Sequence, residues 1–379
     1  MNDRPHDIVL FGATGFTGRL TLEYLTAHAG AARIAVAGRN PAKLAELASG
    51  LPIVHADVEQ PDSLRELAES TRVLITTVGP YIEHGEPVVA ACAEAGTDYV
   101  DLTGEPEFVD RMYVRHHARA AETGARIVHC CGFDSIPHDL GVYLTVQQLP
   151  EGVPIKVEGF VRAGGRPSAG TYHTAVTAFS RIRQWTNVSA ERRRMEPRPE
   201  GRKVHGIRGT PRRHGSLGWV LPFPTVDPQV VLRSARALER YGPDFSYGHY
   251  VAVKRLPVAA GAVGGVAGLF ALAQLPPTRN WLLGRMKSGE GPSPEQRAKS
   301  WFKVRFEGEG GVHRVVTEVS GGDPGYEETA KMIAESALCL AQDELPPSAG
   351  QVTPAMAMGD ALIERLRAAG IGFDVLEKR

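Results

Sequence analysis

Three glycines, Gly12, Gly15 and Gly18, stand three residues apart, directly after the apolar run Ile8–Phe11 and before a helix-like stretch. A strand-to-helix turn needs that order when backbone must come close to a pyrophosphate. Gly12 allows the tight turn, Gly15 lets the phosphates approach, and Gly18 lets the helix pack on its strand. The amides of the first helical turn, with Thr14, Phe16 and Thr17 around them, then face the anion. Any tight turn can use glycine; the strand before and the helix after give these three their meaning.

The second strand narrows the ligand. A dinucleotide without a 2′-phosphate is held by an acid about twenty positions after the glycines. Here that strand ends Ala35-Val36-Ala37-Gly38-Arg39-Asn40, with Arg39 at its tip and Lys43 one helical turn later. A guanidinium grips a 2′-phosphate bidentately, whereas an acid would repel it. NADP is the expected cofactor. Asp57, ending the third strand, is placed for the adenine edge, with a helix-capping role equally open. The fourth strand ends Thr76-Thr77-Val78-Gly79-Pro80-Tyr81. Ligands of open sheets bind beyond such C-terminal tips, so Thr77, Gly79 and Pro80 are expected beside the nicotinamide.

Acid–base candidates follow the same tips: Tyr81 and His84 after the fourth strand, Glu105 after the fifth, and Asp134, His138 and Asp139 after the sixth. Reduction of a polarised double bond needs a hydride, donors aimed at the developing oxyanion, and a positioned acid. Tyr81, Asp134 and His138 are the candidate catalytic residues. Each has an ordinary alternative. Tyr81 can serve as a wall, Asp134 or Ser135 can start a helix, and His138 can be structural. Glu105 before Pro106 can serve a helix N-terminus. Tyr250 and Lys254 match the spacing of a short-chain-dehydrogenase dyad, but they lie in a strand-like run where that pairing fails.

The elements that must position these residues are legible up to about residue 135. Apolar runs at Ile8–Phe11, Arg33–Ala37, Ile53–Ala56, Val73–Val78, Tyr99–Leu102 and Ile127–Cys130 alternate with helix-like segments, two of which open with Pro41 and Pro61. Such alternation predicts an α/β fold, a Rossmann domain with a doubly wound parallel sheet. Beyond it, Ile155–Val161, Gly218–Leu221, His249–Lys254, Phe302–Glu307 and Arg314–Val319 read as strands of a mostly antiparallel sheet. With helices such as Gly170–Trp185, they predict an inserted α+β substrate domain. Tyr326–Ala341 and Ala355–Ala369 read as helices, and Ile371–Leu376 as a closing strand.

Bulk properties exclude some classes. The 379 residues balance 43 basic against 43 acidic side chains, so nothing pulls the chain toward nucleic acid. Between Glu191 and His214, nine Arg and Lys face three acids with no aromatic among them. That tract is expected to be a solvated loop, with a phosphate- or carrier-binding patch as the alternative. The four cysteines show no metal-ligand or disulfide spacing; no metal is expected, and a reducing cytoplasm fits. The N-terminus lacks a signal-peptide core. From Leu256 to Thr278 there is no charged side chain. A buried glycine-rich helix or hairpin is the first expectation, contact with a membrane surface the second, and a true span the third.

Four segments together resemble the saccharopine dehydrogenase-like oxidoreductases, and most of all their trans-acting enoyl reductase branch. They are Tyr99-Val-Asp-Leu-Thr-Gly-Glu105, Cys131-Gly-Phe-Asp134-Ser-Ile-Pro-His138-Asp139, Gly321-Gly-Asp-Pro-Gly-Tyr326-Glu-Glu-Thr329 and Thr353-Pro-Ala-Met-Ala-Met-Gly359. The resemblance runs over essentially the whole chain, with Gln351 standing where glycine is expected. It implies an NADP-binding domain over 1–135, a substrate domain over 136–325, and C-terminal helices over 326–379 that return to the first domain. It also implies reduction, in trans, of an enoyl thioester made by a polyketide-type synthase. The expected partner is a small-molecule or carrier-bound acyl substrate, with a homodimer left open. Two other readings stay in view. One is an imine reductase of amino-acid substrates, for which Arg162, Arg166 and Arg181 are available; the other is a non-catalytic NADP(H)-binding sensor or membrane-associated partner.

Overall fold

Prolines and glycines punctuate the first half of the chain into strands and helices. Pro41, Pro61 and Pro106 occupy first-turn positions of their helices, and Gly96 and Gly124 end two helices in the left-handed conformation. The computed structural model describes residues 4–48, 50–165, 169–284 and 291–379. In chain order the first elements are β1 (His6–Phe11), α1 (Phe16–His28), β2 (Ile34–Gly38), α2 (Pro41–Leu47), β3 (Ile53–His55), α3 (Pro61–Ser70) and β4 (Thr71–Thr76). Then follow α4 (Tyr81–Ala95), β5 (Asp98–Asp101), α5 (Pro106–Thr123), β6 (Arg126–Val128) and α6 (Ile136–Gln147).

The second region contains β7 (Ile155–Gly164), α7 (Ala169–Ser180), α8 (Ile182–Met195), β8 (Lys203–Gly206), β9 (Arg212–His214), β10 (Gly218–Pro222), α9 (Asp227–Ala237) and β11 (Asp244–Val253). It continues with α10 (Leu256–Ala273), α11 (Pro276–Leu283), α12 (Pro294–Arg297), β12 (Trp301–Gly310) and β13 (His313–Gly321). The chain closes with α13 (Glu327–Gln342), β14 (Gly350–Val352), α14 (Pro354–Ala357), α15 (Gly359–Ala368) and β15 (Gly372–Lys378).

Two sheets result. The first has seven strands in the order β14-β6-β5-β4-β1-β2-β3, all parallel. Ile8, Val9 and Leu10 are all fully buried, as expected of a parallel strand covered on both faces. The second sheet runs β15-β13-β12-β7-β11-β10-β9, with β8 also on β11. Its central β7 pairs antiparallel with β12 and parallel with β11.

One apolar cluster joins the sheets, running from Ile8 and Val36 through Leu140 to Val157, Phe306 and Phe373. Helix α6 is the hinge of that packing. A Cβ on Gly141 would lie 2.2 Å from the Phe306 ring, so only glycine lets α6 sit this close to β12. The last segment divides between the sheets: α13 packs on α1, β1, β4 and β5, β14 adds a seventh strand beside β6, and β15 pairs with β13 of the second sheet.

Several expectations change. The single helix expected over Gly170–Trp185 is two, α7 and α8, broken at Arg181. The Arg-rich tract is not simply a solvated loop. Arg192 is buried between Asp110 (2.5 Å) and Glu196, and Arg202 donates to the carbonyls of Ala235, Leu238 and Gly242 at the end of α9. The uncharged stretch forms a helix as expected, but α10 is exposed rather than buried. Arg166 lies outside the described residues.

Candidate active site

The glycine turn has the geometry its sequence calls for. Gly12 has φ +98°, and a Cβ there would meet Thr77 Oγ1 at 2.7 Å. A Cβ on Gly18 would lie 2.2 Å from the Gly12 carbonyl, whereas one on Gly15 would meet only that oxygen, at 3.5 Å. Gly15 therefore leaves its surroundings open, and Thr14 beside it is exposed. Helix α1 has no side-chain cap and no acid in its first turn, so its leading amides remain for an anion. Thr17 is half-buried; Phe16 packs edge-on against Tyr326, with Arg297 over its ring.

Arg39 and Lys43 are both exposed at the β2 tip, and Arg39 makes no ion pair among the described residues. Asp57 does not cap a helix: its Oδ1 accepts from the Glu59 amide at 3.1 Å in the turn before α3, whose N-cap is Gln60. Thr77 Oγ1 donates to the Gly12 carbonyl at 3.1 Å and ties the β4 tip to the turn, while Gly79 and Pro80 stay exposed beyond it. An open turn, a free guanidinium and an exposed strand tip fit a 2′-phosphorylated dinucleotide.

At the next tip the side chains brace one another. Tyr81 is buried; its hydroxyl donates to the Thr76 carbonyl (3.0 Å) and accepts from the Leu102 amide (3.2 Å). The Glu105 carboxylate accepts from the Tyr81 and Ile82 amides at 3.0 and 2.7 Å, satisfying the start of α4. Burial nevertheless pushes Glu105 up to about 7. Behind them the buried Asp101 accepts from Tyr99 Oη (2.9 Å), His129 Nδ1 (2.6 Å) and the Thr103 and Cys130 amides. His84 lies out on the surface.

The β6 tip holds the densest chemistry. His138 Nδ1 is 3.2 Å from Asp227 Oδ1, and His249 Nε2 is 3.4 Å from Asp227 Oδ2. Ser135 donates to Asp227 Oδ1 at 3.0 Å, Thr225 donates to Oδ2, and Tyr247 Oη lies 2.9 Å from His249 Nδ1. All three members are buried, and neither His138 nitrogen, nor His249 Nε2, has a hydrogen-bond partner among the described residues, so the charge of Asp227 holds the rings by ion pairing. Asp139, by contrast, is structural: its carboxylate accepts from Ser234 Oγ (2.5 Å) and the Ala355 amide (2.8 Å), joining α6, α9 and α14.

Residues 8–128 match the saccharopine dehydrogenase NADP binding domain family. Over nearly the full length of both proteins, the chain is 37% identical to the trans-acting enoyl reductase of Mycobacterium ulcerans, with 97% of each covered. It is 36% identical, again with 97% of each covered, to the trans-acting enoyl reductase of Mycobacterium tuberculosis H37Rv. The chain belongs to the saccharopine dehydrogenase-like family, in its trans-acting enoyl reductase branch. Yeast saccharopine dehydrogenase (L-Glu forming) shares the fold, with TM-score 0.56 at 11% identity over 98% of this chain and 100% of that one. This family member is thus an NADP-dependent oxidoreductase.

Electrostatics sorts the family member's acids by role. Although burial opposes it, contact with His138 and His249 holds Asp227 well below the usual carboxylate range. Asp134 goes the other way, up to about 7, through burial and the neighbouring Asp227 charge. Burial lowers His249, with Asp227 opposing. The His138, Asp227 and His249 ligand atoms lie within 4.8 Å of one another, a set that could hold a divalent cation. The sequence reading found Asp134 and His138 but missed Asp227 and His249. Both come from the second region, 92 or more residues beyond Ser135. Their one signal was Asp227 before Pro228, a helix start.

Proposed function

We propose that this protein reduces the carbon–carbon double bond of an enoyl thioester presented in trans by a carrier. NADPH, when bound, supplies the hydride for the β-carbon. The observation that carries the reading is Asp227 bridging two buried histidines beside Asp134. Asp227 Oδ1 stands 3.2 Å from His138 Nδ1 as an ion-pair partner and orients the ring by its charge, as the acid does in other acid–histidine pairs. The unpartnered Nε2 is then the position from which a proton reaches the α-carbon or the thioester oxygen. Asp134, neutral over much of the working pH range, is the second donor and stands beside Gly104 at the β5 tip. Tyr81 takes no part in proton transfer under this reading; its hydroxyl braces the wall of the cleft. Arg181 does not line an anion pocket, because Glu107 holds it at 2.7 Å through both carboxylate oxygens. That pairing disfavours the amino-acid imine alternative. The working location we propose is the cytoplasmic face of a membrane, from the exposure of α10.

The test is NADPH oxidation with enoyl thioesters of increasing chain length. His138→Asn should lower kcat about a hundredfold or more while NADPH affinity stays unchanged. Tight NADPH binding with no turnover on any enoyl thioester would sink this reading in favour of a sensor.

A further inference from the structure

Among the described residues helix α10 adjoins β10 and β11, and its side-chain packing lies near its own C-terminal end. There Ala273 is buried with Val176 and Leu282, Phe270 packs on Phe179 at 5.7 Å, and Gln274 bonds the Phe179 carbonyl. Toward its start, Leu256, Val258, Val263 and Val266 are 53%, 56%, 52% and 51% exposed. Cβ atoms placed on Gly261, Gly264, Gly265 and Gly268 would meet nothing within 4 Å among the described residues. The free part is therefore apolar all round rather than along one stripe. A groove in a partner protein covers one face of a helix; a lipid phase covers all of them.

Charge selects the kind of lipid. From residue 245 to 289 the sequence has five basic side chains, Lys254, Arg255, Arg279, Arg285 and Lys287, and no acid. Two copies packed through this segment would bring like charges together, whereas an anionic bilayer would attract them. Trp281, 54% exposed on α11, has the amphipathic ring suited to the headgroup level.

Among the described residues, the topology does not fit a crossing. β11 ends and β12 begins beside the same end of β7, so the excursion must leave and return on one side. Helix α10 has 18 residues, but α11 has eight and α12 four. At about 1.5 Å per residue neither could recross a hydrocarbon core of about 30 Å. We infer that α10 and α11 form a monotopic anchor that beds into the surface of an anionic membrane.

The anchor also adjoins the candidate site, and this step rests on the reductase reading. Helix α7, on which α10 is seated, carries Thr174. A Cβ on Gly104 would lie 3.5 Å from Thr174 Cγ2 and 3.0 Å from Asp134 Oδ2. One helix thus separates the lipid-facing surface from the β5 and β6 tips. An acyl chain drawn from the membrane would reach Asp134 by passing α7.

Sedimentation of the full-length protein with vesicles tests the anchor. Vesicles of phosphatidylcholine containing phosphatidylglycerol should retain the protein about tenfold better than phosphatidylcholine alone. The double variant Val263→Glu, Val266→Glu should lose more than about tenfold of that binding, with an unchanged unfolding midpoint and NADPH affinity. Absence of wild-type binding would overturn the inference. So would equal binding by the variant, or a wild-type dimer that the variant turns into monomer. Turnover of a soluble short-chain enoyl thioester without vesicles is measured alongside. Vesicle binding without turnover defeats the reductase reading and leaves the anchor; turnover without binding does the reverse.

Discussion

Arg39 is the side chain we propose to select the cofactor. It is exposed at the β2 tip with no acid paired to it among the described residues, so its guanidinium is available to a 2′-phosphate. Arg39→Ala should remove most of the preference for NADPH over NADH while leaving NADH affinity nearly unchanged, as read by fluorescence titration. Equal losses for both nucleotides would show that the residue acts through the fold instead. Asp134 sets a pH dependence. Its folded pKa is raised to about 7 from an ordinary 3.8, so the folded protein keeps this proton through the acidic range and releases it as pH rises through about 7. If that proton serves the reaction, kcat/KM falls on the alkaline side of about 7, and Asp134→Asn removes that limb. The same sign holds for stability: the contribution is complete below 3.8 and is lost as pH rises through about 7. A pH–rate profile unchanged in Asp134→Asn would rule the residue out.

At the scale of elements, legibility followed how local the determinants are. The strands and helices of the first sheet were readable because each is fixed by its own apolar run and its own proline or glycine punctuation, as at Pro41, Pro61 and Gly96. The cofactor turn was readable for the same reason: Gly12 and Gly18 meet partners within a few residues or at the adjoining β4 tip. The His138–Asp227–His249 cluster was only half readable. His138 sits on α6 next to the recognisable β6 tip, but its partner Asp227 starts α9 and His249 lies inside β11. No spacing links such residues; only the docking of α6 against the second sheet does, through Gly141 and Phe306. The burial of α10 was misjudged because apolar composition reports affinity for an apolar phase without saying whether protein or lipid supplies it. The Arg-rich tract misled in the opposite way. Arg192 and Arg202 look solvated by composition, yet an acid pair and a helix C-terminus hold them in place.

The molecule as a whole is organised around the shared core between its two sheets, and this makes ligand linkage a test of unity. All four tryptophans, Trp185, Trp219, Trp281 and Trp301, lie in the second region, so tryptophan fluorescence reports mainly its unfolding, with Trp185 also touching the first region through Asp110 of α5. The cofactor turn lies entirely in the first sheet. If the regions unfolded independently, NADP+ would leave the fluorescence-detected transition where it is. The cluster from Ile8 through Leu140 to Phe306, and the crossing of β14 and β15 into different sheets, argue that they unfold together. At a hundredfold excess over Kd, NADP+ then adds about 2.7 kcal/mol to the unfolding free energy of the whole unit. The guanidinium midpoint seen by tryptophan fluorescence should rise in step with that seen by far-ultraviolet circular dichroism. A fluorescence midpoint indifferent to NADP+, with a second, ligand-sensitive transition by circular dichroism, would show two cooperative units. The His138–Asp227–His249 cluster would then be assembled only by docking, and would come apart before the glycine turn did.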